Sequence, residues 1–462
     1  MKMNSIVGLS LVVMAGATVP ARAQETPPAP GTPKNVELPA PHTFTLDNGM
    51  GVSIVSFGTV PKVDAQLVVR VGNVNEAADE VWLADLMADL MREGTTSRSS
   101  SEISLEAARM GGGVSVGVSP DELSVSGSAL SESAADLVRL IADLAINPAF
   151  PPSELERLRA SRLRNLAVQK SQPQSLALER FHAVLYPGHP YGRVFPSEAM
   201  LSGYTVDQLK RFYETHVGAA RAHLFIVGRV DARDMESVVR QAFADWRAGT
   251  APALNVPDAA QTTRRIHVVD RPGAVQSSMY VGLPVIDPSH PDYVPLQVTN
   301  MLLGGAFASR ITRNIREDKG YTYSPFSNVS TRYRTGYWAE IADVTTAVTG
   351  PALREIFSEI ERLRAEPPPA EELRGIQNYM AGTFTLQASS RGGVLGMLRQ
   401  RNLHDLPDDF HSNYVRSIHA VTPADVQRMA QTYLDPERMV VVIVGDRSAI
   451  EEQVKEFGEI VQ

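Results

Sequence analysis

Two similar α+β halves, each with helices layered on a mainly antiparallel sheet, are what this sequence predicts. Three observations carry that prediction. Residues 205–228 (TVDQLKRFYETHVGAARAHLFIVG) recur without a gap as residues 422–445 (TPADVQRMAQTYLDPERMVVVIVG), with Thr205/Thr422, Arg211/Arg428, Arg221/Arg438 and a shared closing Ile-Val-Gly. The offset of 217 residues is far longer than the ~50-residue period of solenoid repeats, so a large unit is duplicated. Alternating apolar and polar runs, the period of strands, stand between runs of helical length. Between the copies, residues 250–264 are rich in Ala, Pro, Thr and polar residues and read as an exposed linker.

Taken in order, residues 1–23 combine Lys2, a mostly apolar run and Ala21-Arg22-Ala23, the pattern of a cleavable secretory signal peptide. A periplasmic location is expected from it. Residues 24–40 are a Pro-rich lead-in. The first half spans 41–249. In it, 42–46 and 51–57 flank Asp47-Asn48-Gly49, a hairpin turn. Residues 65–71 and 123–129 alternate as strands, and 81–92, 131–146 and 152–169 read as helices. The repeat adds a helix capped by Thr205, a buried strand and a helix over 232–246. The second half spans 265–462, with strands at 266–269, 276–283 and 336–343 and a helix at 293–303. Its repeat copy, opened by Thr422, leads into a helix over 448–457.

Composition excludes several functions. There is no cysteine, which removes disulfides, thiolate metal sites and a cysteine nucleophile. With 44 Lys+Arg against 52 Asp+Glu the net charge is −8, so no broad basic surface for nucleic acid is expected. After the leader no apolar run reaches 18 residues, and no integral membrane segment is expected.

The duplicated halves, LDNGMGVSIV from Leu46, HPYGR from His189 and LGGAFASRITRNIREDKGYTYS from Leu303 together resemble the pitrilysin/insulinase peptidases, which include the mitochondrial processing peptidase. The resemblance implies a LuxS/MPP-like metallohydrolase fold in a clam-shell arrangement. Active members carry His-x-x-Glu-His on a helix of the first half and a zinc-binding Glu further on. The matching helix here, WLADLMADLMREGT, places Asp85 and Asp89 at the two histidines and Ala88 at the glutamate. The later Glu falls at Asn165, 76 residues after Asp89 and eight before Pro173. Zinc favours imidazole and thiolate, and two carboxylates with a neutral amide suit a hard ion better. Asp85 and Asp89, i,i+4 on one helical face, either hold an ion, pair with a neighbouring Arg or are solvated. Ala88 cannot take a proton from a metal-bound water. No histidine cluster replaces the motif: His182/His189, His216/His223 and His404/His411 are pairs without a third ligand, and His189, before Pro190, is expected at a helix end.

Family members also use an Arg and a Tyr of the second half to hold substrate at the zinc, and Arg316 and Tyr323 match them. Such donors stabilise a developing oxyanion. Spacing alone would leave Arg316 a surface helix residue and Tyr323 a strand residue in the core, on the same face as Tyr321. Gly304 and Gly305, expected in a turn between helices, are candidate substrate-binding residues or a plain helix break. The glycines at 111–113 read as a turn before a strand.

The resemblance therefore implies a non-catalytic subunit of a heterodimeric zinc metallopeptidase. It would hold no metal itself, and would supply Arg316 and Tyr323 in trans to the zinc of a partner bearing His-x-x-Glu-His, acting on a peptide substrate. The alternatives are a scaffold or peptide-binding protein with no catalytic role, and a stand-alone hydrolase with an unorthodox metal.

Overall fold

Each half is built on one six-stranded sheet. A computed structural model describes residues 36–253, 255–257 and 262–461. The signal-peptide region and most of the lead-in lie outside the described residues, as do 254 and 258–261 of the linker.

The first sheet contains β1 (His42–Thr45), β2 (Gly51–Ser56), β3 (Lys62–Val69), β4 (Gly113–Val118), β5 (Leu123–Leu130) and β6 (Ala222–Gly228), in the order β1-β2-β6-β3-β5-β4. The second contains β7 (Arg265–Asp270), β8 (Gln276–Val285), β9 (Phe326–Arg332), β10 (Thr335–Thr345), β11 (Val440–Gly445) and β12 (Glu459–Val461), in the order β12-β7-β11-β8-β10-β9. The strands of the sequence repeat, β6 and β11, hold the same place in the two sheets, each parallel to one neighbour, β2 or β7, and antiparallel to the other, β3 or β8. Only the edge strand differs. β1 enters from before β2 through an antiparallel hairpin, whereas β12 comes from the end of the chain and lies parallel to β7. The hairpin follows from Asp47-Asn48-Gly49: Gly49 takes φ +89°, and Asn48 Oδ1 accepts from Met50 N at 3.2 Å.

Several elements depart from the sequence expectation for identifiable reasons. The helix expected at 81–92 is Leu83–Met91, because Trp82 sits at φ +66° and its amide turns aside. Glu76 caps this helix from outside, accepting from Trp82 N at 3.2 Å and Ala84 N at 2.9 Å. The helix expected at 232–246 ends at Ala242. Beyond it Phe243 and Trp246 turn into the core, and Asn48 Nδ2 donates to both of their carbonyls. The helix Tyr293–Asn300 continues as a π-helical turn, Met301–Gly305, so Gly304 and Gly305 end a helix and do not form the expected turn between helices. Tyr321 and Tyr323 lie ahead of β9, in an irregular segment and not on a strand.

Each sheet is also covered by a helix from the other half. Pro173–Leu185 lies across β8 and β11, where the Phe181 ring meets Tyr280 and Tyr337 at 5.5 and 5.4 Å. Arg391–His404 lies across β6 and β3, seating Val394 and Leu398 against Val55, Val68, Phe225 and Val227. Arg391 pairs with Asp64 at 3.0 Å, and Arg399 with the buried Glu122. This exchange joins the halves into one unit, 35–462. Among the described residues no helix is long and apolar enough to cross a membrane.

Candidate functional site

The helix Leu83–Met91 buries Leu83, Leu86, Met87, Ala88 and Leu90 and leaves Asp85 and Asp89 on its less buried face, their side chains 20% and 17% exposed. The helix Pro152–Ser171 packs against it and places Arg162 between the two carboxylates. Arg162 Nε donates to Asp89 Oδ2 at 2.6 Å, Nη1 to Asp85 Oδ1 at 3.2 Å, and Nη2 to the Asp85 carbonyl at 3.2 Å. The guanidinium lies 6.0 Å from the Trp82 ring. On the far side Asn73 Nδ2 donates to Asp85 Oδ2 at 2.7 Å and to Glu76 Oε1 at 3.2 Å. Burial pushes the Asp85 carboxyl up, against the pull of Arg162, and pushes Glu76 up to about 8, against the N–H donors of Ala84, Asn73 and Trp82.

A fixed organic cation thus stands where two carboxylates could otherwise have shared an ion. Its forked donors meet both acids. A divalent ion bound by Asp85 and Asp89 would have to displace Arg162, and Ala88, 2% exposed and aliphatic, offers no base beside it. Among the described residues no cluster of three His, Asp or Glu side chains suited to a metal is present. Asn165 is exposed and its side chain makes no hydrogen bond among the described residues; the residue of its helix that faces the aspartates is Arg162. The sequence offered only a basic helix with Arg157, Arg159, Arg162 and Arg164, and nothing local to select one of them.

Arg316 and Tyr323 lie in the second half. Ile311 and Ile315, both fully buried, anchor the segment from Arg310 through the π-helical stretch Arg313–Asp318 and leave Arg316 on its outer side, 21% exposed. The following turn is tied back by Tyr321 N to the Ile315 carbonyl at 2.8 Å and by Thr322 Oγ1 to the Asp343 carbonyl at 2.7 Å. Tyr321 packs on the second core, whereas Tyr323 points out, 82% exposed. The Arg316 guanidinium lies over the Phe307 ring at 4.2 Å and the Tyr323 ring at 5.5 Å. Its ion-pair partner among the described residues is the adjacent Glu317, at 3.4 Å.

Arg316 and Tyr323 border a cavity of ≈ 290 Å³ together with Gly304, Gly305, Phe307 and Phe326. Both glycines are required by close approach. A Cβ on Gly304 would lie 2.4 Å from Glu340 Oε2 and 2.5 Å from Ser327 Oγ, and one on Gly305 would lie 2.7 Å from Asn300 Nδ2. Glu340 is 1% exposed with neither carboxylate oxygen hydrogen-bonded, and burial raises it well above the usual carboxylate range. No hydrogen bond or ion pair among the described residues joins this site to the Asp85/Asp89/Arg162 cluster.

The histidine pairs serve the fold. His189 Nδ1 accepts from Tyr191 N at the start of a short 3-10 turn, His223 bonds Ser53 and Asn402, and His411 bonds Gln400.

In the comparison with known proteins the two sites fall under two family models. The family model described as Insulinase (Peptidase family M16) matches residues 53–195, which contain the Asp85/Asp89 helix, and the model described as Peptidase M16 inactive domain matches residues 203–380, which contain Arg316 and Tyr323. The chain belongs to the M16 peptidase family. An uncharacterized zinc protease of Mycobacterium tuberculosis is 25% identical over 364 residues, covering 78% of this chain and 80% of its own. One from Bacillus subtilis is 22% identical over 352 residues, covering 75% of this chain and 84% of its own. The crystal structure of a peptidase M16 inactive domain from Pseudomonas fluorescens superposes with a TM-score of 0.81 at 24% identity, covering 88% of this chain and 98% of that one. A protease from Helicobacter pylori superposes at 0.82 and 20% identity, covering 88% and 100%. These neighbours share the M16 fold.

Proposed function

We propose that this M16 chain is the non-catalytic subunit of a heterodimeric zinc metallopeptidase. One observation supports the reading: the chain presents Arg316 and Tyr323 at an open cavity, while Arg162 bonds both Asp85 and Asp89, the residues that the resemblance sets at the zinc-binding histidines. The partner is a homologous chain bearing His-x-x-Glu-His, and the zinc resides on it. Arg316 donates to a carbonyl of the bound peptide, and the Tyr323 hydroxyl to the same region, so the pair acts on substrate held at the partner's metal. The leader-like residues 1–23 support an exported, periplasmic complex.

The reading is tested by purifying the chain alone and together with a zinc-motif partner encoded beside it. Alone, with added Zn²⁺, it is expected to cleave no peptide. Mixed with the partner, it is expected to co-elute and to raise the partner's turnover. Chelator-sensitive cleavage by the lone chain would contradict the proposal, as would a partner equally active without it.

A second reading, a peptide-binding protein with no catalytic role, is favoured by the exposed rings of Phe307 and Tyr323, which would serve binding without a metal. Unchanged partner turnover with retained peptide binding would select it.

A further inference from the structure

We propose that Phe307 positions Arg316 for an incoming peptide, and that the cavity beside them receives an apolar or aromatic side chain of that peptide. This rests on the reading of Arg316 and Tyr323 as a substrate-holding pair.

Phe307 is 73% exposed, so it contributes little to the chain's own core. Tyr323 and Phe326, 82% and 45% exposed, border the same cavity. Single exposed apolar residues are ordinary, but three large rings around one concavity form a contiguous patch of the kind that binds ligands. Among the described residues, the contact by which Phe307 stands out is with Arg316, whose guanidinium lies 4.2 Å from its ring. Tyr323 flanks the same cation at 5.5 Å. Cation–π contact on a planar guanidinium uses its faces and leaves its N–H edge to acceptors, of which Glu317 at 3.4 Å from Nη1 takes only one corner. A long side chain held this way has less rotamer freedom to lose on binding.

The rest of the cavity suits a side chain next to that acceptor. Gly304 and Gly305 contribute backbone only, and the atoms beneath them bar any Cβ, so this wall cannot fill in. Glu340 lies beneath Gly304, buried, and burial raises its carboxyl well above the usual carboxylate range. A peptide carbonyl on Arg316 therefore sets a neighbouring side chain among rings and backbone. A Lys or Arg there would face the Arg316 charge, and an acidic side chain would compete with the carbonyl for it.

The test measures fluorescence anisotropy of the full chain with two labelled decapeptides, blocked at both ends and identical except for a central Phe or Lys. The unaltered chain is expected to bind the Phe peptide at least roughly tenfold more tightly. Phe307→Leu, which keeps an apolar side chain but removes the ring, is expected to weaken it roughly tenfold, and Phe307→Tyr to restore it to within about twofold. Equal binding of both peptides, or of neither, overturns the inference. So does Phe307→Leu binding like the unaltered chain, or Phe307→Tyr binding as poorly as Phe307→Leu. Arg316→Ala separates the two levels. If it loses binding while Phe307→Leu keeps it, the inference falls and the reading of the pair stands; if Arg316→Ala binds normally, the reading of the pair itself falls.

Discussion

Arg162 holds together two carboxylates that would otherwise repel at the centre of the first half. Replacing it with Leu leaves Asp85 and Asp89 facing each other, and a loss of about 2–4 kcal/mol is expected, read as a drop in Tm. Adding Asp85→Asn and Asp89→Asn to Arg162→Leu should recover most of that loss, and failure to recover would show that packing on Trp82 matters more than charge. The freed carboxylates should also make Tm of the Arg162→Leu variant rise with added Mg²⁺, while the unaltered chain shows no such rise. Glu340 gives a second prediction. Its carboxyl is raised in the folded state, so the fold keeps a proton that the unfolded chain releases above the ordinary value of 4.5. The contribution of Glu340 is then full at acid pH and declines as pH rises through and beyond that value. Glu340→Gln removes this decline, so denaturation from pH 5 to 8 should show the variant gaining on the parent as pH rises. At this scale the sequence was partly readable. Asp85 and Asp89 could be set on one helical face because their i,i+4 spacing is local. Arg162 could not be placed, because what selects it is a helix–helix contact more than seventy residues distant in the chain.

Helices and strands were more legible than their ends. The repeat identified β6 and β11 as equivalent, and alternation identified β5, because both signals are local. The ends were set by distant groups: Glu76 caps Leu83–Met91, and Asn48 stops the helix at Ala242 by bonding the carbonyls beyond it. The π-helical turn at Met301–Gly305 likewise depends on the buried side chain of Asn300, which accepts from Trp338 Nε1 and Ser327 Oγ at 2.8 Å. Such turns recur at functional sites, and this one forms a wall of the cavity beside Arg316. The two crossing helices had no signature in the sequence, since an apolar helical face does not say which sheet it covers. Their weight is testable. Phe181→Ala removes a fully buried ring from the second half's sheet and should cost about 3–5 kcal/mol, measured by urea unfolding.

Taken whole, the molecule is two copies of one design locked by exchanged helices, and the lock carries neutral histidines. The His182 ring lies 5.3 Å from that of Tyr337, His223 Nδ1 is 3.2 Å from Asn402 Nδ2, and Arg180 Nη2 is 3.1 Å from His267 Nδ1, each pair linking one half to the other. Burial pushes all three imidazoles down to about 4. The unfolded chain takes up protons near 6.5 and the folded chain does not, so what these histidines contribute is full above pH 6.5 and falls progressively toward pH 4. Unfolding followed across that window should show the loss, and His223→Gln should flatten it in part.

The proposed division of labour between this chain and a zinc-bearing partner has Arg316 and Tyr323 act across the interface. The most direct measurement is kcat/KM of the assembled complex with Arg316→Ala or Tyr323→Phe in this chain. A fall of about 10²–10³-fold for Arg316→Ala, and a smaller one for Tyr323→Phe, with unchanged co-elution and zinc content, is the predicted result. Full activity in both assembled variants would contradict it.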